Sequence, residues 1–577
     1  MLEKPMDSTK EEAVAKEETK VLVIDDERLI RLTIKAKLKL IGYTAVCVAT
    51  IQEAVTLLND GGYKHFKAII TDIMMGDMDG FVFRDIIRGM DTTMPIFFMT
   101  ALDPEEGSGF LKRIMEDVYS FYLPKSVKAE MLVRRVQSIV NSHRVEEIIR
   151  EQTQEVKTAL ELASHLQRSM LPPTFNITDQ EVYTTLWYPQ DQVSGDLFEV
   201  TPLKDGGNLY LLGDIQGHGT GAALSMMAMQ SFLKQLKHTV DLSTSNPADI
   251  ANHMQRFFRS NLGNYSYMTA LICMHHPNEG YVEWISCGAP DLEVVDPQNP
   301  NQEGTNPEKR GGLPIGLLDG TVYTEADVVR TELSKTALCV AFTDGIFDIY
   351  RDEHKSEQLS DSLRRKLQAE LLADAQEKGT IVPFPYKFLM ACEASGYPVL
   401  ADDVTGLVFG ARQQRQGILE KSVPINASII DKMAQELEEW CTEQGWSPDV
   451  ITKIQLVFEE KLMNLHDHGI DIRDRSREQA CIRLKRSGSN VEMTIWDFGT
   501  PEPSISVAAG SLDVALELKN REYSGRGRGR LMVREICNGI LRNTYGHLNE
   551  TTYLIAVEDN TPPRSGELNY NSTGAHK

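Results

Sequence analysis

The first residues that could carry chemistry are acidic side chains at the ends of short apolar runs. Asp25 and Asp26 follow the run VLVI, and Asp72 follows AIIT. Amphipathic stretches at 28–40 and 80–90 separate the runs, which predicts a doubly wound parallel sheet whose strand ends converge on one crevice. Three carboxylates crowded there repel one another unless a divalent cation is present, and oxygen ligands suit Mg²⁺.

Two later strand ends could complete this site. Thr100 ends the run IFFMT, and Lys125 follows a later strand. A hydroxyl and an ammonium in these positions could hold the oxygens of a phosphoryl group on Asp72.

The ordered set Asp-Asp, Asp, Thr-Ala and Lys resembles the receiver domain of two-component response regulators across residues 20–143. Gly76 and Ser126 are departures from the loops of that family. The roles that the resemblance implies are Asp72 as the phosphoacceptor, Asp25, Asp26 and Asp72 as Mg²⁺ ligands, Lys125 as the phosphoryl contact, and Thr100 with Tyr122 as the switch pair.

Four further aspartates lie beside glycines or at strand ends. They occur in SGDLFEV, GDIQGHGTGAAL, FTDGIFD and DDVTG, and they are Asp196, Asp214, Asp344 and Asp402. The β-rich segments of 171–411, with helices at 220–238 and 247–261, predict a sheet sandwich whose strand ends could gather these carboxylates. Two divalent ions could share such a cluster and activate a water for attack on a phosphate ester. Four unrelated Asp-Gly turns are the alternative.

The stretch GDIQGHGTGAAL favours the metal site over the turns. It resembles the PPM-type serine/threonine phosphatases, in particular the bacterial branch of the sporulation and stress-module phosphatases, over 164–411. LQRSMLPP and PIGLL are similar to the same branch. The resemblance implies an α-β-β-α sandwich with Mn²⁺ or Mg²⁺ on Asp196, Asp214, Asp344, Asp402 and the carbonyl of Ile215. Asp403 and Glu199 are expected beside these ligands, and His218 is expected to pack at a helix start.

The last third of the chain offers a third set of polar residues. Glu460 and Asn464 are four residues apart on a predicted helix at 448–466, so they share a face. A carboxylate there could accept a hydroxyl proton, and the amide oxygen could coordinate Mg²⁺. Asp497 ends a strand before Gly499, and SGRGRGR opens a helix whose N–H groups could reach phosphates.

Together these parts resemble the GHKL ATPase fold, specifically the anti-sigma-factor serine kinases, and imply an ATP site with Mg²⁺. Arg530 and the long segment 500–524 depart from that family, so ATP binding is better supported than phosphoryl transfer. The implied roles are Glu460 as the catalytic base, Asn464 as the Mg²⁺ ligand, Asp497 as the adenine contact, and Gly499, Gly527 and Gly529 as nucleotide-loop glycines.

The predicted fold is a multidomain α/β protein. Residues seven apart within 144–170 predict a coiled-coil or signalling helix, with a single amphipathic linker helix as the alternative; a homodimer through this helix is left open. The predicted parts are disordered tails at 1–19 and 561–577, a flavodoxin-like receiver at 20–143, the helical linker at 144–170, a PPM-type α-β-β-α phosphatase sandwich at 171–411 and a GHKL α/β sandwich at 418–560.

Charge and composition exclude other classes. The formal net charge of −23 disfavours nucleic-acid binding. Eight cysteines without a Cys-x-x-Cys pair predict a cytoplasmic protein without structural zinc. No apolar run is long enough to predict a membrane span.

The order of these domains resembles the receiver–phosphatase–kinase regulators of the HptB pathway. The resemblance implies a partner-switching regulator that removes phosphate from, and adds it to, a Ser or Thr of a STAS-type anti-sigma-factor antagonist. A histidine kinase or phosphotransfer protein would supply the phosphoryl group to Asp72. The alternative is a phosphatase whose ATP-binding domain only sequesters its partner. A histidine-kinase hybrid using His143 or His165 and a transcription factor fit the sequence less well.

Overall fold

The structure, a computed structural model, describes most of the chain. The described residues are 19–59, 61–75, 78–101, 108–242, 244–262, 266–296, 312–469, 479–500, 507–508 and 528–557. The predicted tail residues 1–18 and 561–577, and also Gly76 and Gly527, lie outside them. The chain forms two compact units, Met1–Thr158 and Ala159–Lys577.

The first unit is built on a parallel sheet in the order β2-β1-β3-β6-β7. Its strands are buried because helices cover both faces, which explains their almost purely apolar sequences. This strand order is that of the flavodoxin-like doubly wound fold. The elements are β1 (Lys20–Ile24), α1 (Arg28–Lys39), β2 (Thr44–Val48), α2 (Ile51–Leu58), β3 (Ala68–Asp72), β4 (Met74–Met75), β5 (Met78–Asp79), α3 (Gly80–Met90), β6 (Ile96–Thr100), α4 (Ser108–Met115) and β7 (Ser120–Pro124).

Helix α5 (Ala129–Met170) is one continuous helix of 42 residues. It includes the predicted linker 144–170 and begins earlier, so no break separates the linker from the last receiver helix. Apolar side chains of the predicted coiled-coil pattern are about half exposed, among them Val145 and, seven residues apart, Ile149 and Val156.

The middle of the chain forms a sandwich of two five-stranded sheets. One has the order β10-β11-β12-β13-β15 and the other β14-β16-β19-β9-β8. The rings of Tyr210 and Phe409 stack between them with centroids 4.2 Å apart. The strands are β8 (Phe175–Ile177), β9 (Glu181–Tyr188), β10 (Asp196–Pro202), β11 (Asn208–Ile215), β12 (Met268–His276), β13 (Tyr281–Cys287), β14 (Glu293–Val295), β15 (Val329–Glu332), β16 (Leu338–Phe342), β17 (Ile349–Tyr350), β18 (Val399–Leu400) and β19 (Val404–Ala411).

Helices cover both outer faces of this sandwich, which makes it an α-β-β-α fold. The helices α6 (Thr220–Thr239) and α7 (Pro247–Asn261) pack on the first sheet. The helices α8 (Asp361–Lys378) and α9 (Phe384–Ala394) pack on the second sheet. The sequence pattern predicts α6 and α7 but not α8 and α9.

The C-terminal part is an antiparallel six-stranded sheet in the order β20-β21-β22-β25-β24-β23, with helices on one face. Its other face places Cys481, Trp496 and Leu548 in the same apolar cluster as α8 and α9. The sequence predicts that the helix opened by SGRGRGR spans 528–539, but the helix ends at Ile536 because strand β24 begins at Cys537. The elements are β20 (Ile418–Pro424), α10 (Ala427–Glu443), α11 (Pro448–Asn464), β21 (Gln479–Ser487), β22 (Asn490–Asp497), β23 (Val507–Ala508), α12 (Arg528–Ile536), β24 (Cys537–Tyr545) and β25 (Leu548–Ala556).

Candidate functional site

The receiver aspartates meet at the carboxyl edge of the parallel sheet. Asp25 and Asp26 follow β1, and Asp72 ends β3, the strand beside it. One oxygen from each of the three carboxylates lies within 4.8 Å of the other two. Among the described residues this is the only group of three or more acidic, His or Cys side chains that is so tight. Its oxygen donors fit Mg²⁺, and the assignment of these three residues as Mg²⁺ ligands stays a prediction.

Lys125 enters this cluster from the end of β7. Its Nζ lies 2.7 Å from Asp72 Oδ2 and 3.1 Å from Asp25 Oδ2. Partial burial alone would lower the pKa of Lys125, but hydrogen bonds to Asp72 and Asp25 outweigh this and raise it. Glu27 was not predicted from the sequence, and its carboxylate lies 3.5 Å from the same ammonium. Lys125 also donates its backbone N–H to the carbonyl of Thr100 at 2.7 Å, which joins the two predicted phosphoryl contacts.

Gly80 closes the loop that follows Asp72. A Cβ at this position would lie 2.5 Å from the carbonyl oxygen of Asp72. The Gly80 N–H donates to the Ile73 carbonyl at 2.9 Å. Only glycine therefore allows α3 to begin this close to β3.

The sandwich brings the four predicted phosphatase aspartates to one end. Asp196 and Asp214 are direct partners on the antiparallel strands β10 and β11. Asp344 follows β16, and Asp402 precedes β19, the neighbouring strand. Asp196 is 1% exposed, whereas Asp344 and Asp402 reach the surface. The site thus has a buried floor and an accessible rim.

The electrostatics of this cluster are those of uncompensated carboxylates. Burial, followed by the charges of Asp344 and Asp402, raises the pKa of Asp214 to about 7. Burial and the charge of Asp214 also raise the pKa of Asp196. None of the ion pairs formed within the described part of the chain involves any of the four aspartates. An oxygen-only set with no protein cation fits hard divalent cations such as Mg²⁺ or Mn²⁺.

Gly195 keeps the space beside the predicted carbonyl ligand open. A Cβ at Gly195 would lie 3.0 Å from the carbonyl oxygen of Ile215 and 3.4 Å from Asp214 Oδ1. The Ile215 side chain is buried, so this residue can serve the site only through its backbone.

Hydrogen bonds from neighbouring side chains fix the buried carboxylates. Asp196 Oδ2 accepts from the hydroxyls of Thr343 at 2.9 Å and Thr405 at 2.7 Å. Asp403 Oδ2 accepts from Ser194 Oγ at 2.7 Å. Thr343, Thr405 and Ser194 were not identified from the sequence, because Ser and Thr beside a strand end carry no distinctive signal.

Two expectations for this domain are wrong. Glu199 lies on the opposite face of β10 from Asp196, because side chains alternate along a strand. It accepts instead from Gln230 Nε2 at 2.8 Å. His218 is exposed before α6 rather than packed at the helix start.

In the C-terminal sheet domain, Glu460 and Asn464 meet as the helical spacing predicts. Asn464 Nδ2 donates to Glu460 Oε1 at 2.6 Å. Asp497 is fully buried, and its Oδ1 accepts from the Gly499 N–H at 2.9 Å and from Asn549 Nδ2 at 3.1 Å.

A lysine that was not predicted from the sequence lies beside the predicted adenine contact. Lys461 Nζ lies 3.0 Å from Asp497 Oδ2, and both side chains are buried. That carboxylate oxygen accepts no aligned hydrogen bond within the described residues. Gly529 lies in α12, and the side chain of Arg530 is outside the described part. The Asp497 carboxylate is therefore already paired with a charge from its own chain.

Comparison with known proteins identifies two of the domains. Residues 21–137 match the response regulator receiver domain, and residues 204–412 match the family described as Stage II sporulation protein E (SpoIIE). The chain therefore contains a response-regulator receiver domain and a SpoIIE/PPM-type phosphatase domain similar to RsbU. The prediction of a multidomain α/β protein with these two folds is confirmed. The GHKL assignment of 418–560 stays a prediction.

Individual relatives cover separate parts of the chain. The probable transcriptional regulator ycf27 of Cyanophora paradoxa is 32% identical over 123 residues, which are 21% of this chain and 50% of that protein. The phosphoserine phosphatase RsbU of Bacillus subtilis is 21% identical over 279 residues, 48% of this chain and 79% of RsbU. The chain thus spans about half the length of the ycf27 regulator.

Among solved structures, the RsbU and RsbW domains of Rv1364c from Mycobacterium tuberculosis are 17% identical. They cover 67% of this chain and 96% of their own, with a TM-score of 0.36.

Of the helices in the described residues, none combines the length and apolar character needed to cross a membrane.

Proposed function

We propose that this chain is a phosphorylation-controlled partner-switching regulator. Its phosphatase domain removes phosphate from a Ser or Thr of a STAS-type anti-sigma-factor antagonist, and its C-terminal domain adds it. Phosphorylation of Asp72 by a histidine kinase or phosphotransfer protein selects between the two, as in the HptB-pathway regulators that the domain order resembles. Homodimerisation through α5 is part of the proposal.

The observation that carries the phosphatase activity is the uncompensated carboxylate cluster at the end of the sandwich. Bound divalent cations would activate water there for attack on a phosphate ester. The residues of this chain hold and orient the site: the hydroxyls of Thr343 and Thr405 fix Asp196. The exposed rim at Asp344 and Asp402 leaves room for a protein substrate rather than only a small ester.

The receiver activity is supported by the contacts of Asp72. Its carboxylate lies at the sheet edge, next to the predicted Mg²⁺ ligands and 2.7 Å from Lys125. After transfer of a phosphoryl group, the Lys125 ammonium is placed to neutralise the added charge.

The kinase activity is supported by the Glu460–Asn464 pair, in which the base and the Mg²⁺ ligand share one face of α11. One observation favours the second candidate, a C-terminal domain that sequesters its partner without phosphoryl transfer. The Lys461 ammonium occupies the side of Asp497 that an adenine amino group would need.

In the test, the full chain is incubated with Mn²⁺, Mg²⁺, ATP and a candidate STAS antagonist, with and without acetyl phosphate. The phosphorylation of the antagonist is measured by its mass shift. The proposal expects phosphate to be added without acetyl phosphate and removed with it. Asp214→Asn is expected to abolish removal only, and Glu460→Gln to abolish addition only. Removal without any addition supports the sequestering alternative. Equal dephosphorylation rates with and without acetyl phosphate, matching those of Asp72→Asn, contradict control by the receiver.

A further inference from the structure

The last turns of α5 carry a glutamine that is completely buried in the phosphatase domain. Gln167 is 0% exposed, although Leu166 beside it is 48% exposed. The Gln167 amide pairs with the backbone of Ser194: its Nε2 donates to the carbonyl at 2.9 Å, and its Oε1 accepts from the N–H at 3.1 Å. A buried amide bonded at both ends is a fixed connection between this helix and the segment before β10.

That segment leads directly to the carboxylates of the phosphatase site. Ser194 Oγ donates to Asp403 Oδ2 at 2.7 Å and accepts from the Asp196 N–H at 3.0 Å. The Gly195 N–H donates to the same oxygen of Asp403 at 2.9 Å. Asp403 in turn donates its N–H to Asp402 Oδ1 at 2.8 Å. One short chain of hydrogen bonds therefore joins Gln167 to both buried and rim aspartates.

Gln167 also contacts the helix that follows Asp214. Its Nε2 lies 3.4 Å from the carbonyl of Ala223 and 3.6 Å from Met226 Sδ, both in the first half of α6. The same amide thus lies against two segments of the site, the one before Asp196 and the one after Asp214.

We propose that Gln167 is a positioning residue that couples the position of α5 to the aspartates of the phosphatase site. The proposal rests on the proposed phosphatase function. Rotation or displacement of α5 would leave the amide and the Ser194 backbone groups buried without partners, which is strongly unfavourable. The contact is therefore either made or broken, and breaking it releases Ser194, Asp403 and Asp196 together. In this way α5 sets the geometry, and hence the cation affinity, of the site.

The test compares two methionine variants, because methionine keeps the length of glutamine and removes its hydrogen bonds. Gln167→Met breaks the contact described above. Gln255→Met is the matched control: Gln255 is buried on α7, donates to the Leu318 carbonyl at 3.0 Å and accepts from the Gly316 N–H at 2.6 Å. Its bonds go to a loop that carries none of the four aspartates.

The full chain is examined by calorimetric titration with Mn²⁺, by thermal unfolding, and by dephosphorylation at increasing Mn²⁺. Both variants are expected to unfold at lower temperature than wild type. Only Gln167→Met is expected to weaken Mn²⁺ binding, by about ten- to hundredfold, as for other residues that orient metal ligands. Its activity recovers at high Mn²⁺. Ser194→Ala, which removes only the hydroxyl, weakens Mn²⁺ binding in the same direction.

Unchanged Mn²⁺ affinity in Gln167→Met would overturn the inference. An equal loss in Gln255→Met would overturn it as well, because the effect would then be general destabilisation. If Gln167→Met does not fold, unchanged Mn²⁺ affinity in Ser194→Ala would overturn the inference instead. A wild-type chain that binds no Mn²⁺ and hydrolyses no phosphoserine contradicts the proposed function itself, which distinguishes the two failures.

Discussion

Replacing Lys461 with methionine is expected to strengthen the binding of adenine nucleotides to the C-terminal domain. One oxygen of Asp497 is already used by the Gly499 N–H and the Asn549 amide. An adenine amino group would therefore have to donate to the other oxygen, which lies 3.0 Å from Lys461 Nζ. If the C-terminal domain binds ATP as proposed, the nucleotide and the buried ion pair would compete for one carboxylate oxygen.

The size of this effect follows from the cost of separating the pair. An exposed ion pair contributes about 0–1 kcal/mol, whereas loss of one partner from a buried pair costs about 3–5 kcal/mol. The amino group of adenine replaces part of the lost interaction, so we expect a net penalty of about 1.5–3 kcal/mol. At about 1.4 kcal/mol per factor of ten, Lys461→Met should bind ATP about ten- to hundredfold more tightly.

The assay is calorimetric titration of the full chain with ATP and Mg²⁺. Lys453→Met is the matched control, because Lys453 lies on the same helix and pairs with Asp449 at 2.5 Å, away from Asp497. This control should bind ATP like the wild type. If Lys461→Met binds ATP equally or more weakly, the competition does not exist, and weaker binding would mean that Lys461 itself contacts the nucleotide.

Three further predictions test the receiver and the phosphatase domain. Gly80→Ala should lower the receiver's unfolding temperature, because its Cβ would lie 2.5 Å from the Asp72 carbonyl oxygen. Gly89→Ala in the same helix, where a Cβ meets nothing within 4 Å, should stabilise the domain by about 0.5–1 kcal/mol; a similar loss in both would refute the steric argument. Burial raises the pKa of Glu199 from 4.5 to about 7. The contribution of this group to the free energy of unfolding is therefore fully present below pH 4.5 and is lost as the pH rises through 7. Glu199→Gln should therefore gain on the order of 2–3 kcal/mol relative to wild type between pH 5 and 8 in denaturant unfolding, and parallel curves would contradict this. Because the pKa of Asp214 is raised to about 7, calorimetric Mn²⁺ affinity should fall by up to about tenfold per unit below pH 7; a constant affinity from pH 6 to 8 would rule out this proton competition.

The placement of the receiver aspartates could be predicted because parallel strands share one carboxyl edge. Asp25 and Asp72 end neighbouring strands, and topology alone brings them together. Predicting the positions of the phosphatase aspartates also requires the pairing register of the strands, since only that register places Asp196 opposite Asp214. The resemblance to a phosphatase family supplied what periodicity could not.

Helix α8 was missed because its buried face is partly polar. The residues buried on it begin with Arg364 and Gln368, which interrupt the apolar periodicity. Arg364 is satisfied by Glu293 and Asp361, the first of which lies on a strand distant in sequence. Hydropathy patterns cannot identify a buried face whose polar groups are paired only by the tertiary fold.

Lys461 was missed for a related reason. Its position on α11 next to Glu460 has the appearance of an ordinary helix lysine, and Asp497 follows only after a further strand pair. Sequence spacing carries no information about which side chain of a helix faces the end of a distant strand.

The three acidic sites described above differ in how their charge is balanced. Asp72 has the Lys125 ammonium at 2.7 Å, and Asp497 has the Lys461 ammonium at 3.0 Å. Asp196 has only threonine hydroxyls, and the pKa values of Asp196 and Asp214 are raised by burial and by neighbouring carboxylates. In the first two sites a protein cation already balances part of the carboxylate charge, whereas the phosphatase site gains stability directly from any divalent cation that binds. Small displacements of its carboxylates therefore change cation affinity without breaking an ion pair. Under the proposal made above, the buried amide of Gln167 is the contact through which the position of α5 would control the phosphatase site.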